Sequence, residues 1–192
     1  MNALINLKLV WLLGILLLGL QGCATLTTDQ IYQQRAETRE MADQTLARVK
    51  QQYPSARSKL NKAAGYAVFS NFGFKFMFGG SSRGKGLAFN NATKQTTFMR
   101  MIELQPGFGF GVQKFRIVFI FTTPEAYSQF VNSGWQFGAS TTASLNNGTQ
   151  GLGGGLGVVV SPGVEMYQIS ETGAIVGISI SGAKYYKDDE LN

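Results

Sequence analysis

The chain has 192 residues, 44% hydrophobic and only 15% charged, with a net charge of +6. That is enough apolar material for one globular core and too little charge for a disordered chain. There is no His, which excludes His-based triads, His general bases and His metal ligands, and a single Cys excludes an internal disulfide framework or a Cys-rich zinc site.

The chain opens as a targeting segment. Lys8 precedes the apolar run Leu9–Leu20, LVWLLGILLLGL, which has the length of a signal-peptide core and is short for a bilayer span. Leu20-Gln21-Gly22-Cys23 resembles the lipobox of bacterial lipoproteins, and Cys23 is the lone Cys of the chain. The expectation is a signal peptide over 1–22, lipidation at Cys23 and a short tether over 23–30. Ala24 in the next position implies, by resemblance to such lipoproteins, the periplasmic face of the outer membrane. A basic domain held there meets anionic phospholipid, and nucleic acid is not an expected partner.

Residues 31–64 read as helical. Ala42, Leu46, Val49 and Tyr53 recur at helical spacing, which predicts a helix over Ile31–Tyr53, with Asp29 or Thr28 as cap and Pro54 as stop. Ser55 is then the expected cap of a second helix, Ala56–Ala64, closed by Gly65. Arg35, Arg39, Arg48, Lys50, Arg57, Lys59 and Lys62 outnumber Glu37, Glu40 and Asp43 here. That excess suits either a solvated face or a basic amphipathic surface for anionic lipid.

From Tyr66 onward the period changes to two, so residues 65–192 read as β-rich. Phe72, Phe74, Phe76 and Phe78 alternate with smaller residues, which predicts a strand with a buried aromatic face. Phe115, Ile117, Phe119 and Phe121 continue such a pattern, with Val118 and Ile120 opposite, as in a central strand. Further strands are expected at Gly86–Phe89, Gln95–Leu104, Gln136–Leu145, Gly153–Val160, Val164–Ser170 and Ala174–Ala183. Turns are expected at Asn90-Asn91, Gln105-Pro106-Gly107, Asn146-Asn147-Gly148, Ser161-Pro162-Gly163 and Glu171-Thr172-Gly173. Thr123, Pro124 and Glu125 open one inserted helix, Pro124–Asn132, which Gly134 closes. The fold class is therefore α+β: N-terminal helices, then a curved, mainly antiparallel sheet or partial barrel with one inserted helix.

FGGSSRGKGLAF, Phe78–Phe89, carries fragments of two catalytic motifs. A phosphate loop needs Ser or Thr after its Lys and a helix beyond, whereas Gly86 follows Lys85 and a strand pattern comes next. Gly-x-Ser-x-Gly at Gly80–Gly84 needs a base for Ser82, and no His exists. The expected form is a glycine-rich hairpin loop with Arg83 and Lys85 at its tip, able to touch a phosphate headgroup. No nucleotide, metal or other cofactor is expected. Glu103 and Glu165 are the carboxylates that could form a pair on strands, a salt bridge being the alternative use. Asp188-Asp189-Glu190 reads as a solvated tail.

Three segments in order carry a resemblance: KAAGYAVFSNFGF at Lys62–Phe74, FMRMIELQPGFGFGVQKFRIVFIFTTPEAYSQFVNSGWQFG at Phe98–Gly138, and TGAIVGISISGAKYYKDDELN at Thr172–Asn192. Together they resemble the SYLF domain in its bacterial lipoprotein branch. The resemblance implies a phospholipid-binding module without catalysis. By position it places lipid contact on Arg35, Arg39, Arg48, Lys50, Arg57, Lys59 and Lys62, with Arg83 and Lys85 added from the glycine-rich stretch. Eukaryotic members carry Trp-Ser-x-Pro where this chain has Glu103-Leu104-Gln105-Pro106, so only the Pro remains. Anionic phospholipid, rather than a phosphoinositide or actin, is the implied target. The alternative is an envelope protein–protein interaction module that its anchor merely localises.

Overall fold

The computed structural model describes residues 26–136, 158–170 and 182–192. Cys23 and the expected signal peptide lie outside them. So do the expected turns at Asn146-Asn147-Gly148 and Glu171-Thr172-Gly173, and all or most of the expected strands at Gln136–Leu145, Gly153–Val160 and Ala174–Ala183.

Helix α1 runs Thr28–Gln52. It starts earlier than expected because Thr27 and Gln30 form a capping box. Gln30 N donates to Thr27 Oγ1 at 3.3 Å, and Thr27 N to Gln30 Oε1 at 2.9 Å. The helix therefore takes in residues assigned to the tether. Its buried stripe, Thr38, Ala42, Thr45, Leu46 and Val49, is the predicted apolar face. Helix α2, Pro54–Lys62, begins with Pro54 in its first turn, so this proline starts a helix as well as ending one. Ser55 does not cap it, and Gly65 does not close it. Its carbonyls at Leu60 and Ala63 instead accept from Asn91 Nδ2, at 3.1 and 2.8 Å.

Two strands of 26 residues, β1 (Gly65–Asn90) and β2 (Thr96–Phe121), form one long hairpin. Pairing runs from Phe89↔Thr96 to Gly65↔Phe121. The expected Asn90-Asn91 turn closes it, with Asn90 Oδ1 accepting from Ala92 N and Thr93 N at 2.9 and 3.0 Å. The expected turn at Gln105-Pro106-Gly107 is not one, because β2 runs through it. Near its middle β1 bends: the register shifts between Met77 and Gly79, and Met77 adopts φ 53°. The two halves of β1 then fold face to face. A Cβ at Gly84 would overlap the Asn71 amide, and one at Gly86 would overlap the Val68 carbonyl and the Phe69 ring. Backbone replaces side chains between the layers.

This corrects two expectations. FGGSSRGKGLAF is strand, not a loop, and the face it turns inward is Ser82, Gly84 and Gly86. Phe72, Phe74, Phe76 and Phe78 do not form a buried face; they point outward and are exposed. The parity is fixed by the glycines: where the halves of β1 meet, only their side of the strand fits.

Short strands complete the sheet: β3 (Trp135–Gln136), β4 (Val158–Ser161), β5 (Val164–Ser170) and β6 (Ala183–Lys187). The order is β3-β6-β2-β5-β4, with β1 also on β2, and every pairing is antiparallel. The sheet curls into a half-barrel. Helix α3, Pro124–Ser133, is inserted after β2; Thr123 Oγ1 accepts from Ala126 N at 3.2 Å, and Gly134 ends the helix at φ 65°.

Two cores flank β2. Inside the curl, Phe69, Phe119, Phe121, Phe130 and Tyr185 pack edge-to-face or tilted. Outside it, Val68, Leu87, Phe98, Val118, Ile120 and Tyr167 pack under α1 and α2. Both faces of β2 are buried at this end, as a central strand requires.

The C-terminal segment is not a solvated tail. Asp188 is buried, with Oδ2 accepting from Arg100 Nε at 2.7 Å, and Glu190 also accepts from that guanidinium. The hydrogen bond to Asp188 raises the pKa of Arg100. Leu191 is buried, and Asn192 Nδ2 donates to Phe98 O at 2.9 Å.

Candidate functional site

The sheet's outer face changes character along its length. At one end α1 and α2 cover it. At the bend in β1 nothing among the described residues does. Between lies a cleft of about 860 Å³, within the roughly 300–1,000 Å³ usual for ligand sites. One wall is α1, through Gln34, Glu37, Thr38 and Met41; the other is sheet, through Ser70, Phe72, Arg83, Lys85, Arg100, Ile102 and Lys114.

Strand geometry puts the cations there. Arg83 and Lys85 share the outward side of β1, with Arg100 opposite Lys85 and Lys114 opposite Phe72. Lys85 Nζ donates to Gln34 Oε1 at 2.7 Å, which ties the strand to α1. Arg100 is committed to Asp188 and Glu190. Arg83 is exposed and has no hydrogen-bonding partner among the described residues. Asn71 also borders the cleft, but its amide lies on the inner side of the strand, against Gly84; it is 1% exposed, and neither its amide oxygen nor its nitrogen has a hydrogen-bond partner. Such a group costs about 1–3 kcal/mol while unpaired. The cleft thus combines cations with apolar walls from Phe72, Met41 and Ile102, the composition of a site for an amphiphile with an anionic head.

The helical cations are placed differently. Arg35 Nε donates to Leu191 O at 2.8 Å, and the guanidinium groups of Arg35 and Arg39 lie 5.8 and 5.1 Å from the centre of the Phe98 ring. Lys59 Nζ is 2.5 Å from Glu165 Oε2, and this hydrogen bond raises its pKa. Those three side chains hold the helices to the sheet and the C-terminal segment. Arg48, Arg57 and Lys62 are exposed, and Lys50 is half-buried. The structure does not bring the seven onto one surface with Arg83 and Lys85: α1 carries some towards Phe98, and α2 carries Lys59 towards β5. Sequence reading missed Arg100, Lys114 and Asn71, because only the strand register shows that they share a cleft.

The possible carboxylate pair is absent. Glu103 is buried opposite Ser82, whereas Glu165 lies opposite Ile120, towards the other end of β2, and is held by Lys59.

Residues 102–192 match the Ysc84 family, described as Las17-binding protein actin regulator. The chain is also similar to Beta cell expansion factor A of Aeromonas veronii, 32% identical over 151 residues. That alignment takes in 79% of this chain and 56% of the relative, so the chain spans little more than half the relative's length. The matched span holds most of β2, α3 and β3–β6. Over residues 102–192, then, the chain is similar to the Ysc84 family.

Proposed function

We propose that this domain binds anionic phospholipid without catalysis, with the headgroup phosphate in the cleft between α1 and the bent hairpin. The observation that supports it most is the convergence of Arg83, Lys85 and Lys114 on the outward side of the hairpin, with Phe72 and Met41 available to an acyl chain. The SYLF resemblance implies the same ligand class. In this reading residues 1–22 direct export, and Cys23 carries the acyl anchor at the periplasmic face of the outer membrane. Tethering then keeps the cleft near lipid at high effective concentration. Arg48, Lys50, Arg57 and Lys62 add a diffuse attraction to the same surface.

The test is co-sedimentation of the chain from Ala24 with anionic and zwitterionic vesicles at low and high salt. Each cation near an anionic surface contributes about 1 kcal/mol. Arg83→Gln with Lys85→Gln should therefore weaken anionic binding roughly thirtyfold. Unchanged binding by that double variant would remove the cleft as the headgroup site.

The matched family is described by a protein it binds, and this supports a second reading: an envelope protein–protein module. Crosslinking in cells that captures one stoichiometric partner, together with no vesicle binding, would favour it.

A further inference from the structure

Beyond the cleft the outer face ends in an aromatic arch at the bend of the hairpin. Phe76 packs edge-to-face on Phe110 with ring centres 5.2 Å apart; Phe108 joins Phe110 at 5.6 Å and Phe78 at 5.7 Å. The rings touch one another yet remain in water: Phe78 is 73% exposed, Phe108 69% and Phe110 64%. A contiguous aromatic patch of this kind marks an interaction surface rather than ordinary surface scatter.

Charge identifies the occupant. The two stretches that form the arch, FGFKFMFGG at Phe72–Gly80 and LQPGFGFGV at Leu104–Val112, hold no carboxylate, and their one charged residue is Lys75. Cations border it on the sheet side: Arg83 and Lys85 on β1, Lys114 on β2. From Phe72 at the cleft to Phe76 at the arch, four residues of strand span about 13 Å. An apolar tip above a cationic belt, with no acid between them, matches the layering of an anionic bilayer, in which phosphates overlie acyl chains. Interfacial segments with this layout sink roughly 5–10 Å into the headgroup–acyl boundary. A protein partner would have no need of that uniform absence of acidic side chains across the tip.

We propose that the bent end of the β1–β2 hairpin is a bilayer-inserting edge: Phe76, Phe78, Phe108 and Phe110 enter the acyl boundary while Arg83, Lys85 and Lys114 rest among the phosphates. This rests on the phospholipid reading above and adds a second, apolar contact to it. The fold-back of β1 makes the edge, because glycines fill the inner side and leave the aromatic side free.

The experiment uses the full chain in vesicles of equal parts phosphatidylglycerol and phosphatidylcholine, with lipid brominated on the acyl chains as quencher. Tryptophan is placed singly by Phe76→Trp, Phe108→Trp and, as a control on an exposed position of β4, Val159→Trp. The emission contributed by the two arch tryptophans should be roughly halved by brominated lipid, and that at position 159 unchanged. Quenching at all three positions, or at none, overturns the proposal. Self-association in lipid-free buffer that Phe108→Ser abolishes, with no quenching at 76 or 108, would assign the arch to a second copy instead. Arg83→Gln with Lys85→Gln separates the two ideas: if it abolishes anionic binding while Phe76→Trp and Phe108→Trp, with both cations intact, bind the vesicles and stay unquenched, the cleft stands and the edge falls.

Discussion

Gly86→Ala tests the fold-back of β1 directly. The added methyl would meet the Val68 carbonyl and the Phe69 ring, and both residues are fully buried. Neither neighbour can retreat cheaply, since Val68 is paired with Val118 and Gly86 with Met99 in the same ladder. Overpacking of this kind costs about 1–3 kcal/mol, and contact with strand backbone puts it near the upper end. The loss of unfolded-state entropy offsets about 0.4–1 kcal/mol. A net loss of about 2 kcal/mol should lower Tm by roughly 4–8 °C in a domain of this size. Gly79→Ala is the matched control, because a Cβ there meets nothing within 4 Å. Its expected effect is neutral to slightly stabilising, by up to about 0.5 kcal/mol. Urea unfolding followed by far-ultraviolet circular dichroism compares the two midpoints at equal slope. Equal midpoints for Gly86→Ala and Gly79→Ala would show that the two halves of β1 are not in contact.

The docked C-terminal segment gives a second expectation. Leu191→Ala empties a site that is 2% exposed and should cost about 2–3 kcal/mol in urea unfolding. Asn192→Ala removes bonds to the Phe98 backbone on both its N–H and C=O, at about 1 kcal/mol each; wild-type stability in both variants would mean that the segment is not docked. A third concerns alkaline pH. Burial raises the pKa of Tyr66, Tyr127, Tyr167 and Tyr185 above 10.0, so the folded state holds these protons more tightly than the unfolded chain. Their contribution to stability is intact below about pH 10 and is lost as pH rises through the folded values. Ultraviolet titration should show these four ionising late, together with loss of native circular dichroism; a single step for every tyrosine near pH 10 would refute the burial.

Legibility in the sequence followed locality. The inserted helix was readable because its signals are adjacent: Thr123, Pro124 and Gly134 each act within one turn. The strand Val164–Ser170 and the turn before it were readable for the same reason. The side on which Phe72–Phe78 would lie was not. Alternation shows that one face is aromatic, but which face is buried depends on Gly84 meeting Asn71 across the bend. The candidate cleft was half visible. Arg83 and Lys85 stood out in the chain, whereas Arg100, Lys114 and Asn71 join them only through the β1–β2 register and the path of α1. The basic helix was legible as composition, but its charges have separate uses, since Arg35 and Lys59 are spent on distant backbone and carboxylate groups.

The long hairpin also sets an order in which the chain can assemble. Asn90 closes the turn with its own side chain, and each ladder pair from Phe89↔Thr96 towards Gly65↔Phe121 lengthens the enclosed loop by only two residues. Loop-closure entropy therefore rises in small steps, and the ladder can zip from its turn outward on the timescale of local β-structure. The contact of Arg35 with Leu191 spans 156 residues and gains nothing until β6 has joined β2. Strand zipping first, with helix and C-terminal segment locking later, means that the glycine-lined bend exists before the surfaces that will cover the rest of the outer face.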